Sequence, residues 1–150
     1  FYIDTARDFY PPAAAQAGVA LERLLVLRAR RMADALWVCE QVLRCRSAAA
    51  VVFPLRRIEV QATRRLQLAA EAGGGLGLLI RPEASREPTF AATRLRCEAL
   101  RGETFARDVQ ITVLKRRDGP PLGPIVVSLP DLLSAAVPRE SLRGQWSYVG

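Results

Sequence analysis

Between Ala48 and Arg81 the chain reads as two short apolar strands joined by one helix, and that unit calls for a parallel sheet. Ala48 to Phe53 is an unbroken run of small apolar residues, with no polar position left to face water. Such a run suits a strand covered on both faces, the usual state of a parallel sheet flanked by helices. Pro54 stops it, because proline has no N–H to give to a neighbouring strand. From about Gln61 to Ala72, Leu66, Ala69 and Ala70 fall on one side of a helix. Gly73-Gly74-Gly75 closes that helix. Leu76 to Arg81 then forms a second buried strand, stopped by Pro82. The glycine triplet is no phosphate cradle: a cradle needs its glycines before a helix N-terminus, and here they follow the helix.

The upstream residues repeat this rhythm. A short strand ends at Ile3-Asp4, a proline-opened helix closes at Gly18-Val19, and a strand follows over Leu24 to Leu27. An amphipathic helix runs from Met32 to Arg46. Met32, Leu36, Cys39 and Leu43, flanked by Ala35 and Val42, form its core stripe, while Arg31, Asp34, Gln41 and Arg44 point mostly away. Trp37 sits at the stripe's edge and is expected to be a partly buried packing residue. Downstream the pattern changes to period two. Thr93, Leu95 and Cys97 interleave with Arg94, Arg96 and Glu98; Val109, Ile111 and Val113 interleave with Gln110, Thr112 and Leu114. Half-exposed antiparallel strands have this signature. Polar loops are expected at Pro82–Pro88 and Arg101–Arg107, and a last strand at Ile125 to Leu129. One helical turn over Asp131 to Ala136 and a tail carrying Trp146 and Tyr148 complete the chain. The expected division is an α/β core over 1–129 and a C-terminal tail over 130–150.

The 150 residues suit one domain with a single core. There is no histidine, which removes the commonest general base, metal ligand and neutral-pH switch together. Cys39, Cys45 and Cys97 have no metal-ligand spacing and read as reduced thiols. No catalytic residue, metal or cofactor is expected on these grounds. No stretch approaches the roughly 18 apolar residues of a membrane span, and no export signal opens the chain, so the cytoplasm is the expected compartment. The chain carries 22 basic against 15 acidic residues, a net charge of +7, and all but Lys115 of the basic residues are arginines. Arginine binds phosphate in a planar, bidentate way. Arg56, Arg57, Arg64 and Arg65 are therefore candidates for non-specific contact with a DNA backbone, the plain alternative being a solvated basic surface. No aromatic residue is interleaved with them, which argues against a dedicated single-strand binder.

The order of these elements, with the phrase Gly18-Val19 through Leu24-Leu25, resembles the RecA-type ATPase core downstream of its P-loop. Ala62 to Pro82 (ATRRLQLAAEAGGGLGLLIRP) and Val113 to Pro121 (VLKRRDGPP) extend the resemblance, which is strongest to the ImuA family of RecA/SulA-like mutagenesis accessory proteins. The resemblance covers roughly Ile3 to Leu129. It implies a RecA-like core, a mostly parallel central sheet flanked by helices on both faces, with an antiparallel C-terminal edge. It also implies that an N-terminal strand and P-loop region are missing from this sequence. At the position of RecA's catalytic glutamate stands Ala6, and at its magnesium-holding aspartate Pro54. Asp4 keeps the strand-ending aspartate. Tyr10 and Ala13 replace the adenine-contacting pair, and Pro82 replaces the glutamine that couples nucleotide to DNA. Thr89 stands for the phenylalanine of the filament interface. Lys115 and Arg117 match two lysines that RecA directs at its neighbour, so Lys115, Arg116 and Arg117 are candidate contacts to RecA or an ImuB-type polymerase-like partner. By resemblance the expected role is a non-catalytic accessory of SOS-induced translesion synthesis, with DNA as a further partner. Two alternatives stand beside it: a SulA-like inhibitor of the tubulin-like division protein, and a RecA-like ATPase whose P-loop has been cut away.

Overall fold

A computed structural model of the chain describes residues 1–82, 88–100, 107–120 and 122–129. The elements run β1 (Tyr2–Ile3), α1 (Pro11–Gln16), a 3-10 turn (Leu21–Arg23), β2 (Val26–Leu27), α2 (Met32–Arg44) and β3 (Ala50–Pro54). Next come α3 (Val60–Gly73), β4 (Leu76–Ile80), β5 (Thr93–Ala99), β6 (Arg107–Arg116) and β7 (Leu122–Leu129). The sequence places the central elements well, because apolar periodicity is a local signal. The expected strand at Leu24 shortens to Val26–Leu27, since Leu21 to Arg23 take up a 3-10 turn. β7 begins at Leu122, earlier than the apolar run at Ile125 suggests. The expected helical turn at Asp131 to Ala136, the loop after Arg101, Trp146 and Tyr148 lie outside the described residues.

β1 to β4 form one parallel sheet in the order β2-β1-β3-β4. β3 and β4 pair from Ala50↔Leu76 to Pro54↔Ile80, and the Leu55 amide extends the ladder onto the Ile80 carbonyl at 3.0 Å. Residues paired in register share a face, so Val51, Phe53, Gly77 and Leu79 point one way and Val52, Leu76, Leu78 and Ile80 the other. α2 and α3 lie on the first face, where Ile3, Val51 and Phe53 meet Ala35, Cys39, Leu43, Leu66 and Ala69 in the core. Removing each large apolar side chain of this set from water contributes about 1.5–3 kcal/mol. α3 ends as the glycines demand: Gly74 has φ 78°, and its amide caps the Ala70 carbonyl at 2.8 Å.

Three expectations need correction. β5, β6 and β7 do not form an edge of the parallel sheet; they are bonded to one another in a separate antiparallel sheet of three strands, and among the described residues β4 pairs with β3 alone. The flanking is also one-sided at β4, which is not a buried strand. Leu76, Leu78 and Ile80 are 56%, 44% and 55% exposed, because among the described residues the long helices cover only the opposite face. Trp37 is 59% exposed instead of packing at the stripe's edge. The buried stripe of α2 is Ala35, Cys39, Val42 and Leu43, and its rotation carries Trp37 outward. No helix among the described residues is long and apolar enough to cross a membrane.

Candidate functional site

In open parallel sheets ligands gather at the carboxyl ends of the strands. At β1 that end is taken up by internal bonds. Asp4, at the end of β1, is buried; its Oδ2 accepts from Arg28 Nε at 3.1 Å and its Oδ1 from the Asp8 amide at 3.1 Å. The second bond closes a tight turn in which Arg7 adopts a left-handed φ of 59°. Ala6 on this turn is exposed and bears no functional group, and Pro54 at the end of β3 leads directly into buried Leu55. Among the described residues no three histidine, cysteine, aspartate or glutamate side chains come together as a metal site would require.

The arginines predicted as one cluster separate on folding. Arg57 and Arg65 line a groove of about 730 Å³ between α2 and α3, floored by Met32, Leu36, Ile58 and Ala62. Arg65 Nε binds Glu40 at 3.1 Å, and Glu40 also binds Arg44 at 3.0 Å. The bond from Arg65, then that from Arg44, holds the Glu40 carboxyl below the usual carboxylate range. Arg56 is exposed beyond β3.

Arg64 leaves α3 in a different direction. Its guanidinium carbon lies 5.3 Å from the centre of the Phe90 ring, a cation–π distance. Lys115 and Arg117, on β6 and the turn after it, close the same basin of about 210 Å³ together with Gln67, Ala91 and Ala92. Lys115 Nζ donates to the Thr89 carbonyl at 3.1 Å, and Arg117 Nη2 donates to Glu71 at 2.7 Å. That bond, followed by one from Gln67, holds the Glu71 carboxyl below its ordinary range. The strand's two-residue period turns Arg116 away from the pair, and its guanidinium lies against Gly119 in the turn. So Arg64, assigned by sequence to one cluster, joins Lys115 and Arg117, assigned to another.

Phe90 is the member that sequence reasoning missed. It follows a polar stretch of sequence and stands far from the arginines in the chain. Its position is fixed by Thr63, a buried residue whose hydroxyl donates to the Val60 carbonyl at 2.7 Å and accepts from the Phe90 amide at 3.2 Å. A buried threonine on an otherwise apolar helix stripe was the one available hint.

No protein-family model matches the chain. Protein ImuA from two strains of Caulobacter vibrioides is 36% identical to it over 73 residues, which is 49% of this chain and 30% of the relative. The chain therefore spans less than a third of the curated relatives that it matches. Among solved structures, SulA from Pseudomonas aeruginosa superposes with a TM-score of 0.49 at 30% identity, over 53% of this chain and 67% of that one. The chain is thus similar to ImuA over about half its length, on a mixed α/β fold with one parallel and one antiparallel sheet.

Proposed function

We propose that this chain is a non-catalytic accessory module, built on a RecA-like core, of SOS-induced translesion DNA synthesis. On this reading it works in the cytoplasm by binding an ImuB-type polymerase-like protein, with RecA as a second partner. The observation that carries the reading is the 36% identity to ImuA over 73 residues. The bonds of Asp4 to Arg28 and to the Asp8 amide agree with it, because an aspartate held for folding is not offered to metal or water. Lys115 and Arg117 are the proposed partner contacts, and Arg116, turned away from them, contributes net charge only.

The experiment is genetic. Deleting the encoding gene should lower damage-induced mutation to drug resistance, and complementation should restore it. Unchanged mutation frequency in the deletion strain overturns the reading. Overexpression that produces filamentous cells without raising induced mutation would instead indicate a division inhibitor of the SulA type. Charge reversal at Lys115 and Arg117 should weaken co-purification with the polymerase-like partner or RecA; undiminished capture removes these two residues as contacts.

A further inference from the structure

The basin between α3 and the end of β6 combines three properties that neither sequence cluster has alone. Three cations converge on it, with Glu71 as the carboxylate among its described bonds, and that carboxylate is taken by Arg117. Arg64 is held by Gln67 and the Phe90 ring, and Lys115 by a backbone carbonyl. Those bonded partners are neutral; Glu71, bonded to Arg117, also lies near enough to Arg64 to offset part of its charge, whereas Lys115 has only the backbone carbonyl among its described bonds. Finally, Phe90 is 44% exposed, with the Arg64 guanidinium carbon 5.3 Å from its ring centre.

We propose that this basin binds single-stranded nucleic acid, with a backbone phosphate held by Arg64 and Lys115 and a base stacked on Phe90. Cations fixed by neutral groups suit a phosphodiester, which brings the missing counter-charge and releases its own condensed ions on binding. An exposed aromatic ring beside those cations suits a base, because every base presents a stacking face. The basin, at about 210 Å³, is of a size to take a phosphate and its attached sugar. An acidic peptide would satisfy the cations and leave the ring unused, so the ring favours nucleic acid. Duplex is disfavoured for the same reason, since its bases are stacked on one another. The proposal stands on this geometry and not on the similarity to ImuA, so its failure would leave the mutagenesis reading untouched.

The test is fluorescence anisotropy of a labelled oligo(dT) titrated with the chain across a series of salt concentrations. Binding should weaken with salt, with a log–log slope of about −0.7 for each phosphate contacted. Arg64→Gln and Lys115→Gln should each make the slope shallower by about 0.7. Phe90→Leu should leave the slope unchanged and weaken binding roughly fivefold or more. Arg23→Gln, the same charge change before β2 at the opposite edge of the parallel sheet, should have no effect. Equal weakening by Arg23→Gln, an unaltered affinity in Phe90→Leu, or equal affinity for duplex would each overturn the proposal. So would capture of an oligoglutamate peptide, sensitive to Arg64→Gln, by a chain that leaves oligo(dT) unbound.

Discussion

Gly73→Ala should destabilise this fold, although replacing glycine by alanine inside a helix ordinarily stabilises it by about 1 kcal/mol. The reason lies in how α3 meets α2. A Cβ built on Gly73 would stand 1.9 Å from the Leu43 carbonyl oxygen and 2.9 Å from the carbonyl carbons of Leu43 and Arg44. All three are backbone atoms, so no rotamer change can relieve the clash. Ordinary contact begins at 3.4 Å, and the two helices would have to part by about 1.5 Å at this point. Gaps of 0.5–1 Å already forfeit roughly a quarter to a half of a dispersion contact, and the seam being opened carries Cys39, Leu43, Leu66 and Ala69. The expected cost is therefore at the top of the overpacking range, about 3 kcal/mol. Gly74→Ala is the control. Its Cβ would meet nothing within 4 Å, but φ is 78°, so only the left-handed penalty of about 1 kcal/mol applies. Urea unfolding followed by far-ultraviolet circular dichroism reads both. With a slope of about 1–3 kcal/mol per molar, the Gly73→Ala midpoint should fall by roughly 1–3 M, and that of Gly74→Ala by about a third as much. A Gly73→Ala chain as stable as the parent would refute the close helix contact on which this reasoning rests.

Burial, with a smaller push from Glu40, raises the Cys39 thiol to about 12, while Cys45 and Cys97 are exposed. Titration with a chromogenic disulfide at mildly alkaline pH should therefore release two thiols quickly and the third only on unfolding; three fast thiols would contradict the packing. Glu40 has its folded pKa lowered by Arg65 and Arg44, so its contribution is present above the ordinary value of 4.5 and disappears as pH falls through the folded value. Glu40→Gln should then cost less than about 1 kcal/mol at neutral pH, because both arginines are largely exposed. That difference should vanish in acid, and a pH-independent cost would show that the charge is not responsible. Thr63→Val keeps the shape of the side chain but strips the Phe90 amide of its acceptor. It should cost about 1–3 kcal/mol and speed hydrogen exchange at Phe90, whereas an unchanged exchange rate would mean that Thr63 does not hold this segment.

The core was legible because its signals are local. Ala48 to Phe53 and the Leu66–Ala69 stripe each announce their own burial through spacing, and the glycine triplet marks a helix end whatever surrounds it. Yet the three glycines differ in ways that spacing does not reveal. Gly73 makes room for the Leu43 carbonyl and Gly75 lies against the Ala48 carbonyl, while Gly74 supplies the left-handed cap. β4 shows the limit from the other side. Its leucines read as buried because a parallel strand is normally covered on both faces, and sequence does not show on which face a helix has been laid.

The order of the elements, most of their apolar spacing and the excess of arginine can be read along the chain. Which arginines meet follows from packing. Arg64 and Arg65 are neighbours in the chain, but a turn of about 100° per residue sends them to opposite flanks of α3. One is bound to Glu40 and the other stands over Phe90. Lys115 near the end of β6 and Arg117 in the turn after it line one basin, and the bond from Phe90 to Thr63 brings the aromatic ring to them. Charge is a property of composition, whereas a binding site requires charges to converge, and convergence depends on helix rotation and packing between segments far apart in the chain.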